Sequence, residues 1–182
     1  GVLLMAIERL RSEFEHLATH DGLTGAFTRR AALQMADAEM QRWLRQRQPF
    51  AVLMMDADHF KQINDVYGHL VGDTVLHDIA AQVIGALRAT DRLGRFGGEF
   101  VAVLPATDLA AAVAVAERVV AWVRSLPVLP DRPRCTVSVG VAAVQADDAR
   151  FDQVLGRADA ALYLAKNRGR DQVAIHASVA PV

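Results

Sequence analysis

The chain has one cysteine, Cys135, in 182 residues. That excludes an internal disulfide and fits a reducing, cytoplasmic compartment. Cys135 itself reads as a small buried hydrophobe. Lysine is almost as scarce, with only Lys61 and Lys166 against 18 arginines. A pressure toward arginine would leave lysine mainly where a compact point charge serves better than a wide planar fork. The net charge is −1, so the broad basic footprint of a nucleic-acid binder is missing. No apolar run approaches the roughly 18 residues of a membrane span. A membrane link is therefore expected only through a region upstream of this chain.

What is present suits one folded domain. Half the residues are apolar, 52% by count, and the length suffices for a sizeable core. The first helical pattern places Leu3, Ile7, Leu10, Phe14 and Leu17 four, three, four and three apart, a short heptad seam. We read residues 1–19 as a signalling or coiled-coil helix, the end of a longer one. The alternative is an amphipathic helix packed on its own domain. Residues 20–182 form the domain proper.

Along that domain, Thr28 is a plausible N-cap for a helix to about Gln48. "FAVLMMDAD" (50–58) reads as a buried strand ending in acids, and 59–73 as a polar segment broken at Gly68. A helix over 73–88, a hairpin over 91–105 and an Ala/Val-rich helix over 108–126 follow. A proline loop leads to a strand at 135–144, a helix at 151–169 and a last strand at 172–177. The pattern predicts an α/β (α+β) fold, with helices flanking a mostly antiparallel sheet of about five strands.

Chemistry gathers at the end of the first apolar strand. Asp56 and Asp58 are two apart, so alternation puts both on one face if the strand continues. Carboxylates there are hard ligands suited to Mg²⁺ together with substrate phosphates, though paired acids also occur as plain solvated turns. Beyond them come Lys61, Asn64, Asp65, Gly68, Gly72 and Asp73. A carboxylate and an amide in a polar pocket can read a guanine edge, the acid accepting and the amide both donating and accepting. The bland alternative makes Asn64 a turn residue and Asp73 a helix N-cap. His59 and His69 lack ligand-like spacing and read as structural or surface residues.

Five blocks in order, "DGLTGAFTRR", "DADHFKQINDVYGHLVGD", "RFGGEF", "TVSVGVA" and "ADAALYLAKNRGR", resemble the GGDEF family of diguanylate cyclases over about residues 20–175. The resemblance implies a palm-like, ferredoxin-like sheet. It implies condensation of two GTP into cyclic di-GMP by facing domains, hence a homodimer, with Mg²⁺ or Mn²⁺ as cofactor. Asp56, the Ala57 carbonyl and Glu99 are the implied metal ligands. Asp56, Glu99 and Lys61 are the implied catalytic set. Asn64 and Asp73 match the guanine readers, while Phe60 and Lys61 sit where backbone amides approach phosphates. Lys166 and Arg170 match the grip on the terminal phosphates, and Gly97 and Gly98 form the substrate-side turn. Lys166 and Arg170 are four apart, so a helical face can present both; a routine cationic helix end has the same look. Arg88 and Asp91, as R-x-x-D, match an inhibitory product site, although a surface ion pair explains that spacing in isolation.

One departure stands out. The family pattern is Gly-Gly-acid-Glu-Phe, whereas here Gly97-Gly98 run straight into Glu99-Phe100. A residue lost from a strand would turn every later side chain over. Loss within the glycine loop is absorbed more easily. Glu99 then either takes the metal-ligand role of the missing acid or keeps that of the second acid. A degenerate domain that binds nucleotide without turnover is the rival reading. A purely structural dimerisation domain leaves the polar residues unexplained.

Overall fold

The apolar residues of Phe50–Met55 become the most enclosed strand of the molecule, with almost no exposed surface. The computed structural model describes residues 1–176. Its elements are α1 (Val2–Thr19), β1 (Phe27–Thr28), α2 (Arg29–Gln46), β2 (Phe50–Ala57), α3 (Phe60–Tyr67) and α4 (His69–Ala86). After these come β3 (Arg92–Phe96), β4 (Glu99–Pro105), α5 (Leu109–Arg124), β5 (Val137–Ala143), α6 (Phe151–Asn167) and β6 (Val173–Ile175). The sheet order is β1-β3-β4-β2-β5-β6. β2 runs antiparallel to both β4 and β5, and only the outer pairs β1/β3 and β5/β6 are parallel.

Alternation along the strands divides the core. Leu53 and Met55, with Phe100, Ala102, Val139 and Val141, pack against α4 and α5 residues such as Ile79, Val83, Val119 and Val123. Phe50, Val52 and Met54, with Val101 and Val103, pack against Ala36 and Met40 of α2 and Val154, Ala158 and Leu162 of α6. Asp56 continues the second series, so it points to the face covered by α2 and α6. Glu99 shares parity with Val101 and Val103 and points the same way.

Gly140 sets how closely α6 approaches the sheet. A Cβ at this position would lie 2.2 Å from the Ala158 carbonyl oxygen and 2.2 Å from the Leu162 nitrogen. The helix backbone thus rests on the strand backbone itself, which brings the C-terminal part of α6 over the end of β2.

The structure has six strands rather than about five, the addition being the short β1. The polar segment 59–73 breaks at Gly68, as its sequence indicated. It holds α3 and the start of α4, which begins at His69 and ends at Ala86 rather than spanning 73–88. Gly68 has φ 89° and turns one helix directly into the next. Only glycine takes that conformation without strain. The last strand is Val173–Ile175, shorter than expected, and residue 177 of the expected span lies outside the described residues.

α1 buries nothing. Leu3, Leu10, Phe14 and Leu17 are each more than two-thirds exposed, so the helix does not pack on its own domain as an amphipathic cover would. Among the described residues no helix is long and apolar enough to cross a membrane.

Gly140→Ala is expected to force α6 off the sheet and cost about 3 kcal/mol. Chemical denaturation should show a lower midpoint with an unchanged slope.

Candidate active site

The strand end and the glycine turn meet through register. Asp56 pairs directly with Glu99 across β2 and β4, while Asp56 pairs with Ser138 on its other side. Directly opposed residues of an antiparallel pair hold their Cβ atoms about 5 Å apart. The two carboxylates therefore start from neighbouring positions on one face. The turn that makes this possible is Gly97-Gly98, between the paired residues Phe96 and Glu99. Gly97 has φ 69°, the conformation a tight hairpin requires and glycine supplies. The loop thus closes in two residues, with Phe100, Ala102 and Leu104 in the core.

Arg95 braces the turn from behind. Its Nε donates to the Gly97 carbonyl (2.9 Å) and its Nη1 to Asp21 Oδ2 (3.1 Å). Burial works against the Asp21 charge, but hydrogen bonds from Thr24 and Arg95 hold its carboxyl below the usual range.

Electrostatics at the pair follow from geometry. Burial raises the Glu99 carboxyl above its ordinary range, the charge of Asp56 raises it further, and Lys166 partly offsets both. Lys166 Nζ of α6 forms an ion pair with Asp56 Oδ2. Asp159, which the sequence reading did not single out, also pushes Glu99 upward. Asp159 and Lys166 are seven apart on one helix, a two-turn spacing that the sequence did carry.

The donor set fits a hard divalent cation. Asp56 and Glu99 supply two carboxylates whose mutual repulsion such an ion would relieve. Among the described residues no group of three His, Cys, Asp or Glu forms a closed cage. An ion here would complete its shell from a backbone carbonyl such as that of Ala57, from water and from phosphates, as Mg²⁺ prefers.

Asp58 departs from the paired-acid expectation. It is 5% exposed, and its oxygens are taken up by Ser138 Oγ (2.6 Å), Thr136 Oγ1 (2.7 Å) and the Asp171 backbone N–H (3.0 Å). It is an internal anchor rather than a second acid at the cation position.

α3 and α4 place the next group. Phe60 and Lys61 open α3, and the first-turn amides of a helix lack intrahelical partners and suit anions. Asn64 lies across the α4 backbone. A Cβ on Gly72 would fall 1.8 Å from Asn64 Oδ1, so only glycine at 72 admits that amide beside Asp73. Asp73 is exposed and lies inside α4, which is capped at Gly68, so it is not an N-cap. His59 and His69 are exposed at the starts of the two helices. Burial, then the Asp58 and Asp56 charges, push the Cys135 thiol up to about 12, which leaves it inert near neutrality.

Arg170 is not on the helical face with Lys166. α6 ends at Asn167, and Gly169, Arg170 and Asp171 all take positive φ. Arg170 is carried on a tight loop that turns back from the helix end. Its guanidinium has no hydrogen-bond partner among the described residues, and neither does the Lys61 ammonium.

Arg88 and Asp91 lie elsewhere. Arg88 Nη2 contacts Asp91 Oδ1 (3.1 Å), the Pro105 carbonyl (2.8 Å) and Thr107 Oγ1 (2.8 Å). Both residues line an open cavity of about 300 Å³ with Phe27, Ile84 and Leu93. The length of β4 separates this cluster from Glu99, about 20 Å at strand rise.

With this geometry in view, the similarity to known proteins is specific. The family model described as diguanylate cyclase, GGDEF domain, matches residues 18–172. Diguanylate cyclase DgcM of Escherichia coli is 39% identical over 167 residues, covering 91% of this chain and 40% of that protein. Response regulator PleD of Caulobacter vibrioides is 37% identical over 172 residues, covering 90% and 38%. The chain therefore spans about two-fifths of the length of these relatives. Diguanylate cyclase SiaD of Pseudomonas aeruginosa, solved with its activator SiaC, aligns with TM-score 0.84 and 38% identity, over 95% of this chain and 67% of that one. The coiled coil and GGDEF domain of DgcB from Caulobacter crescentus, in complex with c-di-GMP, aligns with TM-score 0.84 and 29% identity, over 94% of each.

The opposed acids yield a direct check. In Asp56→Asn the Glu99 carboxyl should titrate at lower pH than in the parent chain, because one like charge is gone and Lys166 is released. Carboxyl carbon NMR against pH reads this; an unmoved Glu99 would mean the two do not share a field.

Proposed function

The chain belongs to the GGDEF family of diguanylate cyclase domains, and we propose that it condenses two molecules of GTP into cyclic di-GMP. The observation that carries this reading is the register of Asp56 opposite Glu99, kept despite the shortened turn. A lapsed site has little reason to retain facing acids, a lysine beside them and a glycine at 72 that admits Asn64.

Each domain holds one GTP. Asn64 and Asp73 read the guanine edge, Asp73 accepting from the ring N–H and the amino group. The opening amides of α3 at Phe60 and Lys61 receive phosphate oxygens, with the Lys61 ammonium adding charge. Lys166 and Arg170 hold the terminal phosphates. Asp56, the Ala57 carbonyl and Glu99 are the residues that would hold Mg²⁺ or Mn²⁺. When bound, the metal neutralises phosphate charge and lowers the pKa of the attacking hydroxyl. Lys166 pairs with Asp56 and would be free to turn to the phosphates were that carboxylate to ligate a divalent cation.

In the reaction, the ribose 3′-hydroxyl of one GTP attacks the α-phosphorus of the other. The new P–O bond forms as the bond to the β-phosphate breaks, and pyrophosphate leaves with that electron pair while the hydroxyl loses its proton. The reciprocal attack closes the ring. Positioning and electrostatics supply most of the acceleration. Two domains must therefore face each other, and the exposed seam of α1 is the natural means of pairing them. Residues 1–19 then serve as a signalling coiled coil and the remainder as the catalytic domain, in the cytoplasm where GTP is available. Arg88 and Asp91 form the product site: Arg88 is half exposed and can offer its fork to a guanine or phosphate of cyclic di-GMP. The second reading, a receptor that binds GTP or cyclic di-GMP without turnover, draws on the turn that lacks one acid.

Purified chain with GTP and Mg²⁺ should release cyclic di-GMP and pyrophosphate, and Asp56→Ala should abolish both. Tight GTP binding with no product from the parent chain would select the receptor reading. Phe14→Glu should weaken self-association in sedimentation and lower activity at dilute protein. A chain that stays monomeric at every concentration would count against pairing through α1.

A further inference from the structure

We infer that Asp58 is a positioning residue for Arg170, holding the loop that presents this guanidinium to the terminal phosphates. The inference rests on the reading of Arg170 as a phosphate grip.

Three consecutive residues after α6 take positive φ: Gly169 at 113°, Arg170 at 66° and Asp171 at 49°. Arginine is disfavoured there, aspartate less so, and such conformations persist where the surroundings fix them. Asp58 is the internal fixture, because its buried carboxylate accepts from the Asp171 N–H (3.0 Å). The same carboxylate accepts from Thr136 and Ser138 at the start of β5, so it is itself held rigid. Arg124 of α5 is the external fixture. Its Nε donates to the Asp171 carboxylate (3.0 Å) and its Nη2 to the Asp171 carbonyl (3.0 Å). The Arg170 N–H closes the loop onto the Ala165 carbonyl (3.0 Å).

The two acids at the end of β2 thus divide one task. Asp56 meets Lys166 on α6, and Asp58, two residues on, ties the backbone beside Arg170. Asp58 lies just past the last residue of β2, and its bonds to Thr136, Ser138 and the Asp171 N–H carry it to the loop after α6 rather than to the cation position. Neither Asp58 nor Arg124 touches the ligand in this scheme; they fix where Arg170 stands.

The test compares α,β-methylene-GTP with GMP, which lacks the terminal phosphates, by calorimetry on the full chain with Mg²⁺. Asp58→Asn and Arg124→Ala should each weaken the GTP analogue about fivefold, the equivalent of one net hydrogen bond. GMP affinity should stay within about twofold. Neither substitution should add a further loss in an Arg170→Ala background. Arg124→Ala alters a half-exposed side chain and keeps the test available if Asp58→Asn does not fold. Equal weakening of both ligands, or no change in either, would overturn the inference and leave Asp58 as a fold anchor. If Arg170→Ala alone leaves the GTP analogue unaffected, the phosphate-grip reading falls first, and this inference with it.

Discussion

Two carboxylates set opposite each other on adjacent strands repel, and the repulsion grows as water is excluded. Asp56 and Glu99 are in that position, with Glu99 held partly out of water and its proton bound more tightly in consequence. Such a pair keeps both charges only when a cation stands beside it. Here Lys166 provides the charge, and the same field that holds the lysine would draw a divalent ion. Much else in the fold serves to keep the pair in register: the glycine turn that closes β3 onto β4, the Arg95 brace behind it, and the largely buried β2 between its two neighbours.

The helices contribute by how near they come. α6 rests on Gly140 with backbone against backbone, and this close contact carries Lys166 to the strand end. Asn64 reaches across α4 for the same reason, since Gly72 leaves room for the amide. Both glycines are needed for lack of a side chain rather than for an unusual φ. The loop after α6 uses the opposite device. It accepts disfavoured backbone conformations at Arg170 and Asp171 and holds them with a buried carboxylate inside and a guanidinium outside.

The glycine pair illustrates how a short deletion can be tolerated. The hairpin closes across Gly97 and Gly98, and β4 keeps its inward residues inward. Against the family pattern the tip carries one acid, Glu99, where two would stand. α1 presents a separate case. Its apolar seam packs on nothing within the described residues, which is what the proposed pairing of two chains through α1 requires.

Local signals in the sequence determined a good deal. An unbroken apolar run marked β2, alanine and valine periodicity marked α5, and the motif blocks marked Asp56, Asn64, Lys166 and the glycine turn, because each depends on residues close in the chain. The start of α4 was hidden, since His69-Leu70-Val71-Gly72 carries no clear period before the buried Val75 and Leu76. Tertiary structure alone decided the rest. Asp58 looked like a second cation ligand until folding brought Thr136, Ser138 and the Asp171 amide to it from 78, 80 and 113 residues away. Arg170 looked helical until the chain turned out of α6. A carboxylate's role is set by which donors surround it, and strands distant in sequence supply those donors only once the sheet has formed.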